Sequence, residues 1–544
     1  MQILGILFEL YLASFAHFSG YDPGQFILQE NASYDAPLKG SIELIGNCGE
    51  LRANHFHTGW DLSTQGKEGA AVNAIEDGFI SRIRISSSGY GKAIYITHSN
   101  GLTSVYAHLS RFGRVLDSVV LEEMKLHKQN EFDWYWPPSK FKIKKGAVFA
   151  FSGNTGSSTG PHLHFELRDA FTEVVYNPAM LFEDLVKDDF VPFMTQIALS
   201  YLDENGVRVL QEISKVRDTQ VVISSAHNSV SLSVAAEDKA GKGAHHLGIY
   251  SMYLRDEKGL IIYSFKQDKL NFAKGRFANA VNDYTCAQNS TKHNWYTLFQ
   301  TINNDWPSLK HFDSNIDLSN GERKLLLQLS DEKGIKRSYT IIIKKDLKST
   351  SKKIVDKKKG RGICLNASTP LVFSPAEKTI VSLPAKSLYE NVYWPINGAK
   401  RVYPSALHKA GKVKIEIKSV PLSHKLGSYI LVKQNGQVVE KSKILWKGDT
   451  AVFEIKQCGE FEYQYAEKLP IAKVRKEIIV LENIEFLSSY NVLDAATGEW
   501  LPVAFQAKSA RLQFLEKRTH PKKVKIYCKD IFGRETIQEL VLSR

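Results

Sequence analysis

The stretch SGNTGSSTGPHLHFELRD, Ser152 to Asp169, decides how the chain is read. After Pro161 it alternates through His162, Leu163, His164, Phe165, Glu166 and Leu167. Side chains two apart on a strand share a face, so both imidazoles point one way and Leu163, Phe165 and Leu167 the other. The apolar side reads as core. Two imidazoles facing one space are a start on a metal site; the plain alternative is a surface strand with two incidental histidines. The glycines ahead of them, Gly153, Gly156 and Gly160, permit a tight approach that delivers the strand to its sheet.

The same alternation recurs along nearly the whole chain after residue 40. Ala93-Ile94-Tyr95-Ile96-Thr97, Val230-Ser231-Leu232-Ser233-Val234, Val413-Lys414-Ile415-Glu416-Ile417 and Val524-Lys525-Ile526-Tyr527 are examples. Turn signals such as Asn100-Gly101, Asn435-Gly436 and the run Asp530 to Gly533 separate them, which predicts an all-β protein of short strands. Helical periodicity is thin, and residues 117–129 are its best stretch. At 544 residues, 43% hydrophobic and 24% charged, the chain has an ordinary folded composition and is too long for one core. Five cysteines lie at long intervals with no CxxC pair. That excludes a thiolate zinc cluster and a disulfide-dense scaffold, leaving room for one isolated disulfide.

Histidine is concentrated near the N-terminus. Seven of the sixteen fall within about 110 residues, where an even spread would place about three. NHFHTGWD sets His57 four residues before Asp61, VYAHLS sets His108 at a strand end, and the opening stretch supplies His162 and His164. Catalytic zinc takes three protein ligands and keeps one position for water. Hydrolysis also needs a group to move a proton and one to stabilise an oxyanion. More histidines are present than ligation demands, and no HExxH occurs, so the helical zincin arrangement is absent.

Taken in order, His57-x-Gly59-x-Asp61, Tyr106-Ala107-His108-Leu109 and Gly153-Asn154-Thr155-Gly156 through Pro161-His162-Leu163-His164-Phe165-Glu166 resemble the lysostaphin/LytM-type zinc metallopeptidases, peptidase family M23. The resemblance covers residues 40–182. The upstream LIGNCGELRANHFHTGWDL is similar to larger multidomain members, with Cys48 where an aromatic is more usual. It implies a LytM-type antiparallel β-sheet domain whose sheet floors a catalytic groove. It also implies a zinc ion held by His57, Asp61 and His164, and peptidoglycan peptides as substrate. His108 and His162 would divide the roles of general base and electrostatic stabiliser, in an order the sequence leaves open. His55, which shares a strand face with His57, reads as a residue behind the ligands or at the surface, and His98 and His127 read as structural or exposed. The competing class is a non-catalytic relative that binds wall or activates an amidase; loss of a ligand would favour it, and all five positions are intact. The segment VVLEEMKLHKQNEFDWYWPPSKFK lengthens one wall, and its Phe132, Trp134, Tyr135 and Trp136 either pack the loop onto the domain or line the groove.

The rest of the chain divides at composition breaks. Residues 1–18 read as a signal peptide, although Glu9 interrupts the apolar run and no basic residue precedes it. Export to the periplasm or cell envelope is the expectation. No other segment is long and apolar enough to span a bilayer. Between Lys344 and Arg361 nine Lys/Arg and two Asp contribute +7 of the net +13, which marks 344–362 as a basic linker or a patch for acidic polymers. Nucleic acid is not expected, since no recognition helix, zinc finger or RNP-like strand is evident. Segments 185–343 and 365–466 are expected to be β-sandwiches and 468–544 an immunoglobulin-like β domain. Oligomeric state is not legible.

Overall fold

The computed structural model describes residues 33–52, 55–188, 190–241, 245–271, 275, 277–290, 294–301, 304, 309–311, 315–347, 362–376, 378–395, 401–402, 413–418, 420, 427–434, 437–456, 459–475, 478–506, 509–515 and 521–542. The expected leader and most of the basic linker lie outside the described residues. The chain is mostly β, with an antiparallel sheet domain near its N-terminus and further β-sheet regions beyond it. It folds as two compact units, one of residues 33–44, 59–186 and 466–542, the other of 45–58 and 187–465. Among the described residues no helix is long and apolar enough to cross a membrane. Cys286, Cys364 and Cys528 are free thiols.

The site-bearing part of the first unit is built from strands β1 (Trp60–Ser63), β2 (Ala71–Asn73), β3 (Gly78–Ile85), β4 (Lys92–His98), β5 (Leu102–Ala107) and β6 (Arg111–Phe112), helix α1 (Arg114–His127), and strands β7 (Phe132–Tyr135), β8 (Val148–Phe151), β9 (His162–Asp169) and β10 (Val174–Tyr176). The main sheet runs β1-β9-β5-β4-β3-β7, antiparallel throughout, with β10 on the end of β9; β2, β8 and β6 form a second small sheet. β9 is therefore central and buried along its length. Leu163, Phe165 and Leu167 are fully buried, and the Phe165 ring meets Tyr106 and Phe182. The opposite face of the same strand carries the imidazoles, as the period-two alternation requires.

Helix α1 begins three residues ahead of the expected stretch. Gly113 at its N-cap supplies no side-chain bond; Asp117 reaches back from the first turn to accept from Phe112 N. Leu116, Val120 and Met124, spaced by four, form its buried stripe. The insertion's aromatics pack. Phe132, Trp134 and Trp136 are buried, Phe132 stacks on Trp134 at 3.8 Å, and Tyr135 lies beside Arg82, which binds Asp133 through two nitrogens at 2.6 Å. Phe132, Trp134 and Tyr135 sit on β7, at the edge of the sheet farthest from β1, and Trp136 follows directly. A second piece, Lys142–Ile143, pairs with the same side of β3, so this edge is broken between two short strands by Pro137 and Pro138. Within the insertion, two residues ahead of β7, buried Asn130 bonds Tyr490 O and Val503 N of the C-terminal strands of the same unit.

In the second unit the hairpin strands Glu322–Ser330 and Lys336–Lys345 turn at Asp331 to Gly334, matching Lys523–Asp530 and Glu535–Val541 of the first, which turn at Asp530 to Gly533.

Candidate metal centre

Register brings the site together. On β9, His164 lies opposite Asp61 of β1 and opposite Ala107 of β5, and His162 lies opposite Ser63. His108 follows Ala107 directly. One central strand therefore presents two imidazoles between a carboxylate on one side and a third imidazole on the other. His164 Nδ1 is 2.9 Å from Asp61 Oδ1, and His162 Nε2 is 3.3 Å from the same oxygen. The His108 ring centroid lies 4.8 Å from that of His162 and 5.8 Å from that of His164. His57, Asp61 and His164 each offer one ligand atom, all within 4.8 Å of one another.

The second nitrogen of each imidazole is occupied. His57 Nδ1 lies 2.8 Å from the carbonyl of Asn47. Asn47 is itself fixed: its side chain donates to Gly248 O and accepts from Gly248 N, both at 2.8 Å. His164 Nε2 is 2.8 Å from Glu166 Oε1. Glu166, with no exposure at all, also accepts from Tyr90 OH at 2.5 Å and Arg168 Nε at 2.6 Å. A histidine held by a carbonyl or carboxylate on its far nitrogen is the usual state of a metal ligand, because that bond selects the tautomer and aims the ring. The donor set of two imidazoles and one carboxylate, with these outer partners, fits a zinc ion.

His162 and His108 are also fixed from behind, by Gly160 O on His162 Nδ1 and by Thr155 O on His108 Nδ1, both at 2.8 Å. Burial pushes the His108 imidazole down to about 3, with His164 and His162 beside it adding to the effect. Burial would lower His164 too, but its bonds to Asp61 and Glu166 carry it up to about 9. The preceding loop is crowded, as the glycine run suggests. A Cβ on Gly153 would stand 2.4 Å from Ser110 N, and Gly156, at φ 72°, would put one 2.3 Å from Gly89 O; Gly160 faces open space.

The five residues singled out from the sequence thus converge on one place. His98 does not join them: it is buried in the sheet with its nitrogens on Asp77 O and Ser104 Oγ, while His55 and His127 are exposed. Glu166, Tyr90, Arg168 and Asn47 were not singled out as functional. Glu166 had a signal, since it follows His162 and His164 on the same strand face; Asn47 had none, because its partner is 201 residues away.

The arrangement defines a β-sheet domain with a histidine–aspartate group able to hold a metal beside two further histidines. Residues 55–121 match the model of "Peptidase family M23", and the N-terminal region of the chain is a peptidase family M23 domain. The "DD-carboxypeptidase/endopeptidase Mpg" of Neisseria meningitidis serogroup B is 36% identical over 118 residues, 22% of this chain and 21% of that protein. An "uncharacterized metalloprotease" of Haemophilus influenzae is 33% identical over 110 residues, 20% of this chain and 18% of that one. The chain spans about a fifth of the length of these curated relatives. Among solved structures, the catalytic domain of lysostaphin from Staphylococcus simulans aligns with 25% of this chain and 89% of its own, at 23% identity and a TM-score of 0.19.

Proposed function

We propose that the chain is an exported zinc metalloendopeptidase that hydrolyses peptide bonds in peptidoglycan stems or cross-links. The observation that carries the reading is the register of β9, which sets His164 against Asp61 with His162 and His108 at hand. His57, Asp61 and His164 would hold the ion. Zinc bound there would lower the pKa of a water toward about 7 and polarise the scissile carbonyl. His162 Nε2 lies 3.3 Å from Asp61 Oδ1, so this nitrogen faces the same space as the ligands. One of His162 and His108 takes the proton of the attacking water and returns it to the leaving amine. The other donates to the oxygen on which charge develops. Glu166 and Asn47 hold two ligand rings in their working tautomers. Residues 40–182 serve as the catalytic domain behind an N-terminal leader, and the further β-sheet regions, read as sandwiches, position it on the wall. The name of the Neisseria relative supports the reaction class.

Mass spectrometry of purified muropeptides incubated with the zinc-loaded chain tests this. Shortened peptides with wild type, and intact ones with His162→Ala at unchanged zinc content, are expected. Intact peptides with zinc-loaded wild type would leave a wall-binding or amidase-activating role instead.

A further inference from the structure

The second unit holds another cluster with ligand geometry. Asp188 precedes the strand Phe193–Leu202, Asp238 sits near the end of Ser229–Ala240, and Asp331 opens the hairpin turn after Ser330. All three are buried, at 7%, 2% and 1% exposure, and one carboxylate oxygen of each lies within 4.8 Å of the others. Glu332, also buried, follows directly.

The hydrogen bonds leave oxygens over. Asp331 Oδ1 accepts from Ile335 N at 2.7 Å, and Asp188 Oδ1 from Phe190 N at 2.9 Å. Asp331 Oδ2 and Asp238 Oδ1 are buried with no partner. Of the lysines beside these aspartates in sequence, Lys333 donates to the backbone carbonyl of Asp188 at 3.5 Å, Lys239 lies over the Phe193 ring, and Lys187 is exposed. A carboxylate oxygen shut away from water without a partner is costly, and three converging carboxylates multiply the cost. The matching hairpin of the first unit is an internal control. There Asp530 Oδ1 accepts from Phe532 N and Arg534 N, and Oδ2 accepts from Arg534 Nε at 2.7 Å. The residue in the place of Arg534 is Ile335. One turn neutralises its aspartate with an arginine; the other directs it at two more aspartates. Burial, with the neighbouring Asp188 adding to it, pushes the Asp238 carboxyl up to about 8.

We propose that Asp188, Asp238 and Asp331 bind a hard divalent cation of the calcium class, at a site separate from the histidine centre. An all-oxygen donor set without imidazole or thiolate selects against zinc. Calcium takes six to eight oxygens at about 2.3–2.6 Å, and oxygens within 4.8 Å of one another can share one such ion, with carbonyls and water completing the shell. The ion ties together the entry segment, one long strand and a hairpin, so its role is to fix this fold.

The full chain, stripped with a chelator and reloaded with zinc, is titrated with calcium chloride by calorimetry, and its thermal unfolding is followed with and without millimolar calcium. One calcium per chain and a Tm rise of roughly 5–10 °C near saturation are expected. Asp238→Asn and Asp331→Asn each abolish the binding with zinc content unchanged. Ile335→Arg, which copies the other hairpin, folds and makes Tm indifferent to calcium. No calcium uptake by wild type, or uptake that survives in both Asn variants, overturns the site. Should the Asn variants fail to fold, wild type and Ile335→Arg still decide.

Discussion

His108 carries its ring on a left-handed backbone, φ 58°, a conformation costly for a residue with a Cβ and common where geometry is held for a purpose. It lies within ring contact of His162 and His164 but outside the ligand group. His108→Ala is therefore expected to keep its zinc and lose about 10²–10⁴-fold in hydrolysis; turnover at the wild-type rate removes it from the reacting set. His164→Ala and Asp61→Ala are expected to lose the metal outright by elemental analysis, and a full complement in both contradicts the ligand assignment. Glu166→Gln tests the outer partner: zinc affinity falls about 10–100-fold by competition with a chelator while the protein stays folded. These positions differ in how openly the sequence displays them. His57 and Asp61, or His162 and His164, stand in short local patterns because neighbouring strand positions share a face. Glu166 shares the histidine face yet carries no mark that distinguishes a buried partner from a solvated glutamate.

Strand content was legible because burial of one face imposes period two, and β9 reads directly as the alternation quoted at the outset. Helix α1 was legible in kind but not in origin, since its first turn is capped from within by Asp117. The insertion's aromatics left two readings open; Phe132, Trp134 and Trp136 are packed and buried, while Tyr135 remains exposed. What no local pattern shows is an ion pair between distant elements. Arg208, 4% exposed on the strand Arg208–Lys215, bonds Asp283 at 2.9 Å and Glu390 at 2.7 Å. Burial alone would raise the Asp283 carboxyl, but Arg208, with Ser233 and the Cys286 amide, holds it below its ordinary 3.8. A depressed folded pKa contributes stability above the unfolded value and loses it as pH falls through the folded one. Arg208→Met should cost about 3–5 kcal/mol at neutral pH by stranding Asp283. The deficit should narrow on acidification below 3.8, where protonation removes the charge Arg208 serves; a deficit constant with pH in denaturant melts would contradict it.

At the scale of the chain, compositional breaks suggested how it divides, but which stretches fold together depends on contacts that composition does not encode. The first unit draws residues 466–542 onto the same body as 59–186. Asn130 shows how: one buried amide satisfies a carbonyl 360 residues away and an N–H 373 residues away. Asn130→Ala leaves both backbone groups buried and unmet, and should destabilise this unit by about 1–3 kcal/mol. Thermal unfolding identical to wild type would show that water replaces the amide without loss.

The broken outer edge of the main sheet has a further consequence. A strand that ends a sheet offers a row of unpaired N–H and C=O groups to any chain it meets, and long flat edges seed self-association. Here the last rung is two short pieces separated by consecutive prolines that cannot donate, with Asp133 locked to Arg82 beside them. The aromatic insertion is thus a guard against a second copy adding its own strand. Its removal would leave the eight-residue β3 bare as a template for fibrous or clumped protein.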